Sequence, residues 1–155
     1  ACSLLAGERA KEKGYDQVLW LDGAEKKYVE EVGSMNMMFV IDGTVVTPML
    51  DGSILRGITR DSALQVLRKY GYKVEERHVP IAEVVEAYHA GKLDEAFGTG
   101  TAAVISPVGT ITYGDLTMNI NDGKMGKITG WLYDRITGIQ TERYPDEFGW
   151  VYRVK

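Results

Sequence analysis

The sequence predicts an α/β domain in which short strands and amphipathic helices are mixed. Apolar residues recur at helical spacing in several segments, and short apolar runs end at turn residues, as strands do. The third observation is the glycine content, which indicates many turns and tight loops: 18 of the 155 residues are glycine, against a usual share of about 7%. The elements do not alternate as a regular βαβ repeat, so the class extends from α/β to α+β.

The first half of the chain has a helix, a strand and a hairpin. "SLLAGERAKEK" (3–13) has helix-forming composition and stops at Gly14, a good position for a helix end. "QVLWL" (17–21) predicts a short buried strand. "MNMMFVIDGTVVTP" (35–48) predicts two strands joined by an Asp-Gly turn and ended by proline.

The second half alternates between helices and short strands. Apolar spacing and terminating glycines or prolines predict these elements in order: a helix at 59–70, a strand at 72–80, a helix at 81–90, several short strands between 95 and 120, a long helix at 124–142 and a short final strand at 149–155.

Composition excludes several functional classes. The net charge of −4, with no Lys/Arg run longer than two, argues against a nucleic-acid partner. No apolar run approaches the roughly 18 residues that span a bilayer, so we expect no membrane partner. The single cysteine, Cys2, forms no internal disulfide and favours a reducing, cytoplasmic location. His78 and His89 are not spaced as metal ligands, and no metal is expected.

The stretch "LDGSILRGITRDSALQVL" (50–67) places Gly57 directly before a predicted helix. The first backbone N–H groups of a helix favour an anion, and those of Ile58 and Thr59 are open to close approach behind a glycine. Thr59 adds a hydroxyl. The alternative is that Thr59 is only the N-cap of an ordinary helix.

Two further stretches each have a functional and a purely structural interpretation. "FGTGTAAV" (97–104) suits a concave backbone that binds an anion with the Thr101 hydroxyl, or a tight turn in which glycine supplies a positive φ. In "EEVGSMN" (30–36), Glu31 fits a buried acid held by the neighbouring turn, although Glu30 and Glu31 also fit two solvated acids.

Taken together, these motifs and their order resemble the class IV pyridoxal-phosphate aminotransferases. "QVLWLDG", "EVGSMN", the "TP-LDG-IL-GITR" series and "GTGTA…PV" look specifically like the branched-chain amino-acid aminotransferases. The resemblance covers nearly the whole chain. Met38 departs from the class pattern, which has an aromatic residue there. The family implies a barrel-like mixed sheet flanked by helices, the larger domain of this fold type.

The resemblance assigns a cofactor, pyridoxal 5'-phosphate, to these loops. It implies that the phosphate rests on Ile58 and Thr59 behind Gly57, with the Thr101 hydroxyl. Leu55 would lie against the pyridine ring and Glu31 would pair with the pyridinium nitrogen. The family's substrate contacts fall on these positions: Ser34, Gly100 and Ala102.

The resemblance also implies parts that this sequence lacks. The Schiff-base lysine of the family lies just upstream of the segment that matches Ala1, and Lys11 and Lys13 match no motif. The family's N-terminal domain is absent as well. The chain opens on Ala-Cys-Ser, within a predicted helix, so we expect the C-terminal cofactor domain of a longer, homodimeric protein.

Two classes of function remain open at this point. The first is part of an enzyme that moves amino groups between leucine, isoleucine or valine and 2-oxoglutarate. D-amino-acid transaminase and aminodeoxychorismate lyase share the fold and are the alternatives among enzymes. The second class is a module that binds a phosphate or cofactor without catalysis.

Overall fold

The computed structural model describes residues 2–154 of the chain. Four helices and nine strands are present in that part, with a 3₁₀ turn at Asn121–Gly123. Numbered in chain order, the helices are α1 Cys2–Glu12, α2 Ile58–Lys69, α3 Ile81–His89 and α4 Lys127–Gln140. The strands are β1 Leu19–Leu21, β2 Val29–Val32, β3 Met35–Ile41, β4 Thr44–Pro48, β5 Val74–Arg77, β6 Leu93–Gly100, β7 Val104–Pro107, β8 Thr110–Tyr113 and β9 Leu116–Asn119.

Strand β3 is the centre of a seven-stranded, mixed sheet. One of its edges pairs antiparallel with β6, from Asn36 opposite Thr99 to Ile41 opposite Leu93. Its other edge is shared: β2 pairs with the first two residues of β3, and β4 pairs with the last three. β1 and β7 extend the sheet outward, and β5 joins β4 as the parallel pair.

The shared edge of β3 is closed by a side chain. Thr47 is fully buried on β4, and its hydroxyl donates a hydrogen bond of 2.8 Å to the carbonyl of Met37. Met37 lies between the segments of β3 that pair with β2 and with β4. A polar side chain thus supplies a partner where the backbone ladder changes strands.

Each face of the sheet carries its own hydrophobic core, because alternate residues of β3 point to opposite sides. Met37 and Phe39 pack in a core with α3 and the β8–β9 hairpin, whereas Met38 and Val40 pack with α2 and α4. The site described below lies on the α2 side. The mixed α/β class with a sheet flanked by helices confirms the predicted fold class.

Several predicted boundaries are wrong by a few residues, and one element is wrong altogether. The strand predicted at 17–21 is half-buried and limited to β1, and the one predicted at 72–80 is limited to β5. Helix α4 begins at Lys127 rather than 124, because Asp122 has a φ of 51° and Gly126 is extended. Residues 150–154 form no strand. The backbone N–H of Val151 is instead held at 2.7 Å by the carboxylate of Asp146.

Candidate active site

Four residues form a row across the strands on the α2 side of the sheet. Glu31 on β2 is opposite Asn36 on β3, Asn36 is opposite Thr99 on β6, and Thr99 is opposite Ile105 on β7. Directly paired residues of antiparallel strands project to the same face, so the four side chains lie side by side. The row therefore places one carboxylate, one carboxamide and one hydroxyl on a single surface.

Glu31 is bound to the loop that leads into α2. Its Oε1 accepts a hydrogen bond of 3.2 Å from the backbone N–H of Leu55 and one of 3.4 Å from Nδ2 of Asn36. Asn36 Nδ2 also donates a hydrogen bond of 2.8 Å to the carbonyl of Leu55. Glu31 is half-buried, between the buried acid and the solvated acid that the sequence allows.

The N-terminus of α2 lies next to this carboxylate. Gly57 is the N-cap residue, in extended conformation, and no side chain of residues 2–154 caps the helix. The alternative that Thr59 is the N-cap is therefore wrong, because Thr59 lies within the first turn. By contrast, α4 is capped by Glu95, whose carboxylate accepts from the backbone N–H of Ile128 and of Thr129. The first amides of α2 have no such side-chain acceptor and can bind an external anion.

Gly57 is required by close packing and not by its backbone angles. Its φ of −65° suits any residue. A Cβ placed there would lie 2.1 Å from Oδ1 of Asn36, which is far inside contact distance. The β3 strand and the mouth of α2 therefore touch at this point, and the glycine permits it.

The glycines of "FGTG" have a different role from either one predicted. Gly98 and Gly100 lie within β6 and have no positive φ. A Cβ at Gly98 would lie 3.0 Å from both Met35 and Val32, and one at Gly100 would lie 2.9 Å from Met35. Both glycines make room for the packing of β2 and β3 against β6, so they explain no anion site by themselves.

The turn between β6 and β7 presents the remaining predicted residues to solvent. Thr101 and Ala102 are exposed in it. Val104 ends the turn with a φ of 59°, a conformation that is rare for a β-branched residue. Backbone of this kind persists where surrounding structure fixes it, and such positions concentrate at functional sites.

The predicted site residues thus fall on three neighbouring segments. Glu31, Leu55 and Gly57 are joined by direct contacts, and Leu55 and Ile58 are largely exposed, at 71% and 83%. The other predicted residues are Ser34 in the β2–β3 turn, Thr59 in the first turn of α2, and Gly100, Thr101 and Ala102 at the end of β6. Their convergence on one cleft with Glu31 stays a prediction.

Sequence reasoning missed two polar residues of this surface. Asn36 is 4% exposed and carries the contacts given above. Thr99 is 1% exposed, and its hydroxyl has no hydrogen-bond partner in the described part of the chain. Both are buried polar groups on strands, β3 and β6, that carry mostly core residues. The alternation of polar and apolar residues at the start of "MNMMF" is the signal that indicates Asn36.

Other candidate features lie elsewhere or are ordinary. A cavity of about 1260 Å³ lies between α1 and the β7–β8 region and is lined by Met37, on the opposite face of the sheet from the row. His78 lies 3.7 Å from Asp51 at the surface. Within residues 2–154, no cluster of three or more metal-ligating side chains occurs, and no helix is long and apolar enough to cross a membrane.

Comparison with known proteins identifies the family of this chain. The chain is 58% identical over 154 residues to branched-chain-amino-acid aminotransferase 2 of Bacillus subtilis, and 60% identical to a probable branched-chain-amino-acid aminotransferase of Staphylococcus epidermidis. Each match covers 99% of this chain, but only 42% and 43% of the relative. The chain thus spans less than half the length of these curated relatives.

Solved structures agree with the sequence relatives. The branched-chain amino acid aminotransferase of Escherichia coli matches with a TM-score of 0.83 at 31% identity, over 99% of this chain and 46% of that one. A second branched-chain amino acid aminotransferase, solved in complex with N-(5'-phosphopyridoxyl)-L-glutamate, matches with a TM-score of 0.82 at 33% identity, over 99% and 47%. The family model for amino-transferase class IV matches residues 1–111. The chain belongs to the class IV amino-transferase family.

Proposed function

We propose that this chain is the cofactor-binding domain of a longer, pyridoxal-phosphate-dependent branched-chain amino-acid aminotransferase. One observation carries the proposal: the carboxylate of Glu31 is hydrogen-bonded to the loop that leads directly into the uncapped N-terminus of α2. An acid and an anion site are thereby fixed relative to each other. Relatives that bear this name and match 99% of the chain support the substrate class.

The residues present fit pyridoxal phosphate. The uncapped amides of Ile58 and Thr59 and the exposed hydroxyl of Thr101 are donors of the kind that hold a phosphate dianion. The exposed Leu55 side chain offers an apolar surface for one face of a ring. Glu31 supplies the acceptor for a protonated ring nitrogen.

The cofactor, when bound, draws electrons from the substrate carbon that loses its proton. The residues of this chain bind and orient the groups that take part in that reaction. Glu31 keeps the ring nitrogen protonated, because a nearby carboxylate favours the charged form of a base. Ser34 and the backbone N–H of Ala102 bind and orient the substrate, with Gly100 in the same segment. The α2 amides would hold the phosphate.

The remaining parts of the reaction are assigned to the rest of the protein. We place the Schiff-base lysine and an N-terminal domain outside this chain, and we expect the complete protein to be a homodimer. Lys11 is on the surface of α1 and pairs with Glu8 at 3.5 Å, so it has the contacts of an ordinary surface residue. Borohydride reduction of the complete protein with pyridoxal phosphate should label one lysine outside residues 1–155. Stoichiometric labelling of Lys11 or Lys13 would contradict this assignment.

The proposed function is tested with Glu31→Gln in the complete protein. We expect the turnover of leucine, isoleucine and valine with 2-oxoglutarate to fall about 100-fold or more, because a preorganised charge at the reacting system is lost. Glu30→Gln is the matched control. Its carboxylate accepts from Ser53 Oγ at 2.7 Å instead, so this change should leave turnover close to that of the unsubstituted protein.

The alternatives give different results in the same assay. Activity on D-alanine without activity on leucine would move the assignment to a D-amino-acid transaminase, and release of pyruvate from aminodeoxychorismate would move it to the lyase. Cofactor binding with no turnover of any of these substrates would favour a binding module. Equal effects of the Glu30 and Glu31 substitutions would contradict the role given to Glu31.

A further inference from the structure

Asn36 contacts all three parts of the surface that the proposed function uses. Its Nδ2 donates to Oε1 of Glu31 and to the carbonyl of Leu55, and its Oδ1 fills the space above Gly57. The side chain belongs to β3, the strand that is paired along both edges. A fixed element of the sheet therefore contacts the acid, the ring-facing residue and the helix mouth at once.

These contacts form a closed arrangement. The Leu55 backbone N–H donates to Glu31, its carbonyl accepts from Asn36, and Asn36 donates back to Glu31. Two hydrogen bonds thus hold Oε1 of the carboxylate, and the third joins the two donors to each other. Because Asn36 is 4% exposed, water is a poor substitute for the donors that it supplies.

The packing against Gly57 adds a steric part to the same arrangement. Gly57 is the N-cap of α2, and its backbone N–H donates a hydrogen bond of 2.9 Å to the carbonyl of Leu55, the same oxygen that accepts from Asn36. The carboxamide therefore fixes the distance between the N-terminus of α2 and the sheet, as well as the orientation of the Glu31 carboxylate. Acid and anion site are coupled through one side chain.

We propose that Asn36 is a positioning residue, whose carboxamide fixes the Glu31 carboxylate and the N-terminus of α2 in a single geometry for the cofactor. This inference rests on the proposed function. Asn36 acts through Glu31 and Gly57 and does not itself touch the reacting atoms. Its removal should weaken cofactor binding and also change how strongly the ring nitrogen holds its proton.

The first test is Asn36→Asp in the complete protein freed of cofactor. Aspartate keeps the shape, removes both donors and places a second carboxylate beside Glu31. We expect the dissociation constant for pyridoxamine 5'-phosphate, measured by calorimetry, to rise about tenfold or more, because the Glu31 carboxylate loses a hydrogen-bond donor and faces a second negative charge. Asn119→Asp on β9 is the matched control. Asn119 is exposed, so that variant should bind with the affinity of the unsubstituted protein.

The second test separates positioning from simple stability. In Asn36→Ala, the absorbance change that reports loss of the ring-nitrogen proton from bound pyridoxamine 5'-phosphate should move to lower pH. The reason is that the Glu31 carboxylate, once it is less firmly held, stabilises the ring-nitrogen proton less. A residue that only supports the fold would lower the unfolding temperature without moving this titration.

The third test uses the contact with Gly57. Gly57→Ala alone should weaken pyridoxamine 5'-phosphate binding, because its Cβ collides with Oδ1 of Asn36. In the Asn36→Ala background the same change should add little further loss, because the colliding atom is gone. If Asn36→Asp does not fold, this double-mutant cycle tests the positioning role of Asn36 in its place.

The outcomes separate this inference from the proposed function. Failure of the unsubstituted protein to bind pyridoxamine 5'-phosphate would overturn the proposed function. Normal binding by that protein, together with unchanged affinity and an unchanged pH titration in the Asn36 variants, would overturn the positioning role alone. Failure of Asn36→Ala to fold, or independent effects of the Gly57 and Asn36 substitutions, would likewise assign Asn36 to the fold and overturn the inference.

Discussion

Replacing Glu95 by alanine should open the first turn of α4 while the rest of the sheet stays folded. Glu95 lies on β6 and is 7% exposed. Its two carboxylate oxygens accept from Ile128 N at 2.9 Å, from Thr129 N at 2.8 Å and from the Thr129 hydroxyl at 2.6 Å. The side chain therefore serves as the N-cap acceptor of a helix that lies far from it in the sequence.

The magnitude follows from these three bonds. Hydrogen bonds to a charged group contribute about 1.5–3 kcal/mol each, but those that share one carboxylate are not additive. Alanine also removes a negative charge from the positive end of the helix, an interaction of about 0.3–1 kcal/mol. Water can enter the space and recover part of the loss. We therefore expect about 3 kcal/mol, which is roughly a hundredfold in the local opening equilibrium.

Amide hydrogen exchange measures this opening directly. In Glu95→Ala, the amides of Ile128 and Thr129 should exchange roughly a hundred times faster than in the unsubstituted protein, since their acceptor is gone. Amides in the middle of α2, such as that of Leu64, should keep their rates. Glu86→Ala is the matched control, because Glu86 is an exposed acid on α3. It should leave the α4 rates unchanged.

Two results would refute this reasoning. Unchanged exchange at Ile128 and Thr129 in Glu95→Ala would show that the carboxylate does not hold the helix start. Equal acceleration throughout the sheet would show that Glu95 supports the whole fold rather than the end of α4. Glu95→Gln, which retains one acceptor oxygen, should give an intermediate rate.

Two further predictions concern other buried polar contacts. Hydrogen bonds from Arg68 and from the buried Arg60 lower the pKa of Glu76 below its ordinary value of 4.5. The contribution of Glu76 to stability is therefore present above pH 4.5 and is lost as the pH falls through the lowered pKa. The unfolding temperature should therefore drop as the pH falls below 4.5, less steeply in Glu76→Gln, and equal slopes would contradict the ion pairs. Thr47→Val removes the donor to the Met37 carbonyl and should lower the free energy of unfolding by about 1–2 kcal/mol in urea denaturation, whereas an unchanged value would show that this bond is dispensable.

Local motifs made part of the fold and site predictable from the sequence. The hairpin of β3 and β4 was predictable because an Asp-Gly turn and a terminal proline are local signals. The mouth of α2 was predictable for a similar reason, since the glycine and the helical periodicity are neighbours in the chain. Recognition of the family then placed Glu31 beside that mouth, and the contact with Leu55 agrees with it.

Features that depend on partners distant in sequence were not predictable. The motif "FGTG" predicts a special backbone conformation, whereas its glycines are required by packing against Met35 on another strand. The importance of Asn36 depends on the register of three strands, which a sequence does not display. The start of α4 differs from the predicted one because the acceptor for its first amides, Glu95, comes from β6 and leaves no local signal near residue 127.

The double pairing of β3 has a consequence for how this family can diversify. The floor of the site is a strand with neighbours along both edges and a core on each face, so substitutions there disturb packing on two sides. The walls, at 51–53 and 101–103, are exposed connections that can change in sequence and length at little cost to the fold. Selectivity for new ligands can therefore evolve in the walls while the acid and its anchoring strand are inherited unchanged.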